Sequence, residues 1–533
     1  MRDRGLFLIV LFLALLRLVD LDFAEVQGWD EALYAIRARS ILQFGDWLDQ
    51  SAHSVGGLYS AAHPPLYVWL TAILMKIFGE SPTTVRFWSA VAGAVTVLAV
   101  YYLPKDRLTG FFSAVTLGTC SFFTFYSRQG QLDVIYTCFI MLGLFFFMKY
   151  ESTGKRRLLW FTGISCGLAL MSKIIVGLFL PMILGVYMIL KVLKGEGDTK
   201  SILRGWLTVF GVGLIIAAPW HIFMIWKHGS AFTDSYVVFH IIARSLHGVE
   251  LNVRALGPLF FANQIIVILP VGSVFLIRLA GRIRSQKEDL LPLSFAAFLV
   301  PFLIFTLSRT QLRTYAIPML PPLALVAGCG FRDIWRENRV SKVLIILFVV
   351  FSIWASSQTL RDQTKEFFRS GHPSPALLLA AGAAVILILS AGRRVTGRVF
   401  TIIVLCTLFV FSFIPPIRYS QSGIARVGSR FEKDTCRTLI YMDEVRTVHN
   451  PQISYYFHGV DIGWRDGYRF ELITPEDAGE FSLPMDTGDC AYIIISRQYQ
   501  HEVFDEIEKE LESDERSEEV LLNDRYHVFR LGK

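Results

Sequence analysis

The stretch Pro64-Pro65-Leu66-Tyr67-Val68-Trp69-Leu70-Thr71-Ala72-Ile73-Leu74-Met75-Lys76-Ile77-Phe78 decides how the chain is threaded. It is apolar, but shorter than the roughly 20 residues a membrane helix needs, and it opens on two prolines. Longer apolar runs lie near 5–22, 83–103, 109–127, 132–149, 157–172, 174–192, 203–226, 257–279, 289–307, 313–331, 341–359, 374–392 and 398–415. They predict about thirteen membrane helices, the first an uncleaved anchor. Six connections between them are basic, from Lys105 and Arg107 through Arg393, Arg394 and Arg398. If Pro64–Phe78 does not cross, all six share a side with Arg2 and Arg4; if it crosses, all six oppose them. The positive-inside rule therefore makes it an interfacial or re-entrant segment.

That topology leaves the N-terminus and the basic loops cytoplasmic. It places the first loop, residues 23–82, and the tail, 416–533, outside a bacterial inner membrane. The expected architecture is a polytopic α-helical membrane domain over 1–415, followed by a small extracytoplasmic α/β domain over 416–533. In the tail, Thr438–Met442, Ile453–Phe457, Ala491–Ser496 and Tyr526–Leu531 read as strands, and Glu502–Ser513 as a helix.

Composition agrees with the membrane class. The 533 residues are 53% hydrophobic and only 18% charged, against about 25% charged in soluble domains. The net charge of +7 sits beside apolar spans, which argues against a nucleic-acid partner. Five of the seven cysteines lie in apolar runs. Cys436 and Cys490 fall in the polar tail, where a disulfide is open but not required.

Candidate chemistry collects at the predicted outer ends. Gly28-Trp29-Asp30-Glu31 places adjacent carboxylates just past the first span, where charge is expensive without a role. From Glu31 to Phe44 the pattern is that of a helix lying in the interface, with Arg37 and Arg39 polar. His63 precedes the two prolines, and Asp133 opens a helix after the turn Ser127–Asp133. Lys173, Arg244, Arg254, Arg309 and Arg313 supply cations on a side where basic residues are disfavoured, with Tyr315 beside the last of them. Carboxylates can act as general bases, and cations can bind phosphate and stabilise it as it leaves. That combination suits glycosyl transfer from a lipid phosphate. Each residue also has a plainer use: Asp30 and Asp133 as helix caps, His63 as a turn residue, the arginines as headgroup anchors. A lipid-linked saccharide transporter or ligase remains the alternative. The Asp30–Glu31 pair leaves a divalent cation open.

The order Asp-Glu after the first span, x-Pro-Pro-Leu-Tyr, Leu-Asp in the second outer turn and a late Ser-x-x-x-x-x-x-Tyr-x-x-Pro resembles the GT-C membrane glycosyltransferases. The nearest likeness is to the bacterial aminoarabinose transferase and protein O-mannosyltransferase group, over roughly residues 1–330. The resemblance implies a polyprenyl-phosphate sugar donor and a lipid, glycan or protein acceptor. By position it implies a catalytic carboxylate at Asp30, a second acidic residue at Asp133, donor-phosphate contacts from Lys173 and Arg244, and Tyr315 lining the cavity. On their own chemistry Glu31 joins the catalytic candidates, and His63 and Arg313 join the donor-phosphate candidates with Tyr315. His63 stands where the aminoarabinose transferases usually carry lysine, and Arg244 lies one residue further from His240 than the pattern has it.

Overall fold

The structure, a computed structural model, describes residues 2–173, 175–196, 198–247, 257, 259–280, 290–352, 354, 396–412, 422–434, 436–443, 451–458, 469–478, 490–497 and 501–532. The chain divides into two compact units, residues 1–19 with 88–417 and residues 20–87 with 418–533.

The first unit is helical. Among the described residues, six helices are long and apolar enough to cross a membrane, or eight if each of two bent pairs is one span. The expected runs near 341–359 and 374–392 lie partly or wholly outside the described residues. One bent pair, Arg107–Gly118 and Ser121–Ser127, turns by 69°. Such a break strands backbone carbonyls in an apolar setting. The buried guanidinium of Arg17 answers it, donating to Leu13 O at 2.6 Å, Gly118 O at 3.2 Å and Thr124 Oγ1 at 3.2 Å.

The second unit joins the first loop to the tail. Leu66–Phe78 forms a helix of 13 residues, about 20 Å long and short of a bilayer core of about 30 Å. Length alone does not separate it from Arg157–Leu170, with 14 residues; the loop charges do.

The helix Asp30–Phe44 departs from expectation. Residues 31–41 are all buried, Arg37 and Arg39 included, so it has no solvated polar face. It packs against the helices Leu66–Phe78 and Pro451–Tyr456. Arg37 tolerates burial because Ser60 O, Gln50 Oε1 and His63 O accept its N–H groups at 2.8–2.9 Å; desolvation brings its pKa down to about 10. Arg39 pairs with Glu80, donates to Tyr455 O at 2.7 Å and lies 4.8 Å from the Tyr455 ring centre.

The tail builds a five-stranded sheet from β1 (Thr438–Met442), β2 (Arg469–Ile473), β3 (Ala491–Ser496), β4 (Ser517–Leu522) and β5 (Tyr526–Leu531), ordered β2-β1-β3-β5-β4. β1 runs parallel to β2 and β3; β5 runs antiparallel to β3 and β4. Alternate residues serve opposite faces. Leu439, Tyr441, Tyr492, Ile494 and Val528 join one core, while Ile440, Met442, Ile493, Ile495 and Phe529 join another with the helix Glu502–Ser513. Burial on both faces makes the central strands continuous apolar runs, which is why their sequences stand out.

Ile453–Phe457, expected as a strand, lies largely in the helix Pro451–Tyr456. Pro451 suits a first helical position, and Ile453 and Phe457, four apart, enter the same core. Cys436 and Cys490, just before the adjacent strands β1 and β3, are disulfide-bonded.

Candidate active site

The sequence candidates fall into two groups, one in each unit. In the second unit, Asp30 is half-buried at the first position of its helix and Glu31 follows it inside the fold. Carboxylates in a first helical turn oppose the positive end of the helix dipole. The residue before them is strained: Trp29 has φ 70° and ψ −130°, a region that ordinarily needs glycine.

Glu31 and Arg86 form a wholly buried ion pair, with Nε to Oε1 at 2.8 Å and Nη2 to Oε2 at 3.0 Å. Glu31 Oε2 also accepts the Gln27 N–H at 2.6 Å. Arg86 spends its other donors on Leu21 O, Ala24 O and Glu25 O at 2.7–2.8 Å. The stretch from Leu21 to Glu31 is thus wound around one guanidinium. With both Glu31 oxygens engaged, the Asp30–Glu31 pair does not offer two open carboxylates to a cation. Sequence reading passed over Arg86. Its signal was an arginine four residues past Pro82, inside a helix of mostly apolar residues.

His63 is half-buried. Its carbonyl accepts from Arg37 at 2.8 Å, and its ring stands edge-on to Tyr34, 6.3 Å between centres. The prolines that follow open the helix Leu66–Phe78, so Arg37 holds the turn at its last flexible carbonyl.

In the first unit, Asp133, Lys173 and Tyr315 come together from three separate segments. Asp133 lies in the first turn of Leu132–Thr153 and is 1% exposed. Both its oxygens accept from Lys173 Nζ at 2.9 Å. The ammonium lies 5.9 Å from the Tyr136 ring centre and 5.5 Å from that of Tyr315, within cation–π range. Tyr315 stacks on Phe305 with 4.5 Å between centres.

The arginine-bearing segments of this unit are tied to one another through backbone bonds. Arg244 follows a π-helical turn, Asp234–Ala243. Its carbonyl accepts from Thr310 N at 3.0 Å and Thr310 Oγ1 at 2.7 Å, and Ser245 O accepts from Arg309 N at 2.9 Å. Those bonds tie the segment of Arg244 to that of Arg309. Arg313 is exposed at the start of the 3₁₀ turn Arg313–Met319 that carries Tyr315. Arg254 lies outside the described residues.

A family profile described as dolichyl-phosphate-mannose-protein mannosyltransferase matches residues 62–223. An uncharacterised protein of Aquifex aeolicus is 25% identical over 64% of this chain and 67% of its own. The undecaprenyl phosphate-alpha-4-amino-4-deoxy-L-arabinose arabinosyl transferase 2 of Pseudomonas fluorescens is 28% identical over 61% of this chain and 57% of its own. A similarly named transferase of Pectobacterium atrosepticum is 26% identical over 64% and 62%. The matches span less than two thirds of either arabinosyl transferase. Among solved structures, ArnT from Cupriavidus metallidurans bound to undecaprenyl phosphate superposes with a TM-score of 0.69 at 17% identity, covering 99% of this chain and 98% of that one. The Archaeoglobus fulgidus oligosaccharyltransferase in its apo form gives 0.53 at 12% identity, covering 93% and 70%. At these identities the structural likeness is one of fold.

Proposed function

On the premise of this likeness to the GT-C membrane glycosyltransferases, we propose that the protein transfers a sugar from a polyprenyl-phosphate donor to a lipid, glycan or protein acceptor. The observation that carries the reading is the Lys173 ammonium, held by both oxygens of buried Asp133 with tyrosine faces around it. A cation fixed in this way is pre-set for a phosphate oxyanion and needs no reorganisation as charge develops.

In the proposed step, Asp30 takes the proton of the acceptor hydroxyl or amine as that atom bonds to the anomeric carbon. The bond from that carbon to the donor phosphate breaks with inversion, and its electron pair leaves on the phosphate. Lys173, Arg244, Arg313, His63 and Tyr315 bind that phosphate, Asp133 orients Lys173, and Glu31 positions Asp30. Basic loops sharing a side with Arg2 and Arg4 support a reaction outside the bacterial inner membrane. There the thirteen-span domain 1–415 supplies the bundle, and loop 23–82 and the domain 416–533 lie on the same side.

The test is a transfer assay on membranes with labelled undecaprenyl-phosphate sugars, supplied one at a time. Asp30→Asn is expected to lower kcat by about 10²–10⁴, the usual share of a general base. Full activity in that variant sinks the base assignment. Movement of labelled lipid-linked sugar into proteoliposomes without any transfer product sinks the enzyme reading.

A further inference from the structure

We infer that the tail domain acts on the reaction through Tyr456 and Gln452, which position the strained stretch leading to Asp30. The inference rests on the function proposed for Asp30.

The stretch 25–31 meets the tail at three successive points, all within one compact unit. Glu25 Oε2 accepts the backbone N–H of Ser422 at 3.1 Å and its hydroxyl at 2.8 Å. The N–H of Val26 donates to the Tyr456 hydroxyl at 2.6 Å. At Gly28, a Cβ would fall 2.5 Å from Gln452 Oε1, so the backbone passes where any side chain displaces that amide. The tail residues are themselves fastened. Gln452 Nε2 donates to the Tyr526 hydroxyl on β5 at 2.7 Å, and Asn523 Nδ2 donates to Ser422 O at 2.7 Å.

Trp29 follows directly, at φ 70°. A non-glycine residue persists there only when its neighbours over-determine the backbone. Glu31, with Arg86, holds the stretch from one end; Tyr456 and Gln452 hold the other. Slackening either end lets Trp29 relax toward an ordinary conformation and turns the first helical residue, Asp30, away from its set orientation. Such a role separates these residues from ordinary core packing: removing a single hydroxyl leaves the sheet intact but frees the loop.

The test compares full-length Tyr456→Phe, Gly28→Ala and Gly28→Ala/Gln452→Ser with the unaltered chain, each in lipid nanodiscs. Hydrogen exchange is read on peptides covering 24–33, with those covering 438–442 and 491–496 as internal controls. Tyr456→Phe is expected to speed exchange in 24–33 at least tenfold with the strands unchanged. Its kcat for undecaprenyl-phosphate sugar falls about tenfold to a hundredfold, as small misplacements of a reacting group do, while donor KM stays within about twofold. Gly28→Ala falls likewise, and the double variant recovers because the added methyl takes up the contact that the lost amide made. Unchanged exchange in 24–33 overturns the inference, as does faster exchange with wild-type kcat in a background where Asp30→Asn is inactive. A fully active Asp30→Asn instead removes the base reading, and is told apart because the exchange result stands without it.

Discussion

Glu31 and Asp133 are both carboxylates in the first turn of a helix, and both are about 1% exposed, yet they are answered differently. Glu31 meets an arginine that is itself wholly buried and whose remaining donors are spent on three backbone carbonyls. Asp133 meets a lysine whose side chain is 16% exposed and lies near two aromatic rings. An arginine fork fixes geometry in several directions at once, whereas an ammonium is a compact point charge on a flexible stem. The first pair is therefore a fastening, and the second a held charge. Carboxylates of equal burial and equal helix position thus serve different ends, and the partner decides which.

The contrast breaks most easily at Glu31. Glu31→Gln or Arg86→Met leaves one buried charge without its counterpart, at a cost of about 3–5 kcal/mol. Size-exclusion of the detergent-extracted protein should show loss of the folded peak. Glu31→Leu combined with Arg86→Met should recover only part of it: no charge is then stranded, but the carbonyls of Leu21, Ala24 and Glu25 lose their donor.

Lys173→Met/Asp133→Asn, which strands no buried carboxylate, should behave otherwise. Hydrogen bonds to charged groups contribute about 1.5–3 kcal/mol, which converts to roughly a 10- to 100-fold fall in kcat/KM for the donor. Asp133→Asn should weaken the same parameter by less. A Lys173→Met/Asp133→Asn protein that unfolds like Glu31→Gln would erase the distinction between the pairs.

A smaller effect is expected at Trp29. Trp29→Gly and Trp29→Ala both lose the ring, so their difference isolates φ 70°. Glycine should be the more stable by about 1 kcal/mol in chemical denaturation. Smallest is the effect at Asp434, a half-buried carboxylate in the tail. The Tyr492 hydroxyl, and then Arg530, hold its pKa below the usual carboxylate range. A lowered folded-state pKa adds stability above pH ~4 and loses it as pH falls through the folded value. Asp434→Asn should therefore be slightly less stable than the unaltered chain near neutrality and converge with it in acid, as followed by tail-domain circular dichroism.

How much was legible from sequence differed by element. β1 and β3 were visible because their residues are almost all apolar or aromatic, and β5 because Tyr526, Val528, Phe529 and Leu531 put such residues on both faces, whereas β2 (Arg-Phe-Glu-Leu-Ile) and β4 (Ser-Glu-Glu-Val-Leu-Leu) carry the charges of edge strands and were passed over. Ile453–Phe457 misled because five mostly apolar residues fit either period, and only a core on one side, entered four residues apart, selects the helix. Arg37 and Arg39 misled for a related reason. Charge predicts exposure unless partners exist, and theirs come from residues 13 to 416 positions away.

Local chemistry in the sequence determined the membrane class, the short helix after Pro64-Pro65, and the candidate groups Asp30, Glu31, His63, Asp133, Lys173, Arg244, Arg313 and Tyr315. Those conclusions follow from apolar length, loop charge and the identity of side chains, all of which are properties of a few consecutive residues. Only the tertiary structure decided which charges are paired. Arg86 reaches Glu31 across 55 positions, Lys173 reaches Asp133 across 40, and Tyr456 reaches the backbone of Val26 across 430. Whether a carboxylate meets a guanidinium spent on backbone carbonyls or an ammonium beside aromatic rings depends on those partners, and no periodicity in the chain encodes them.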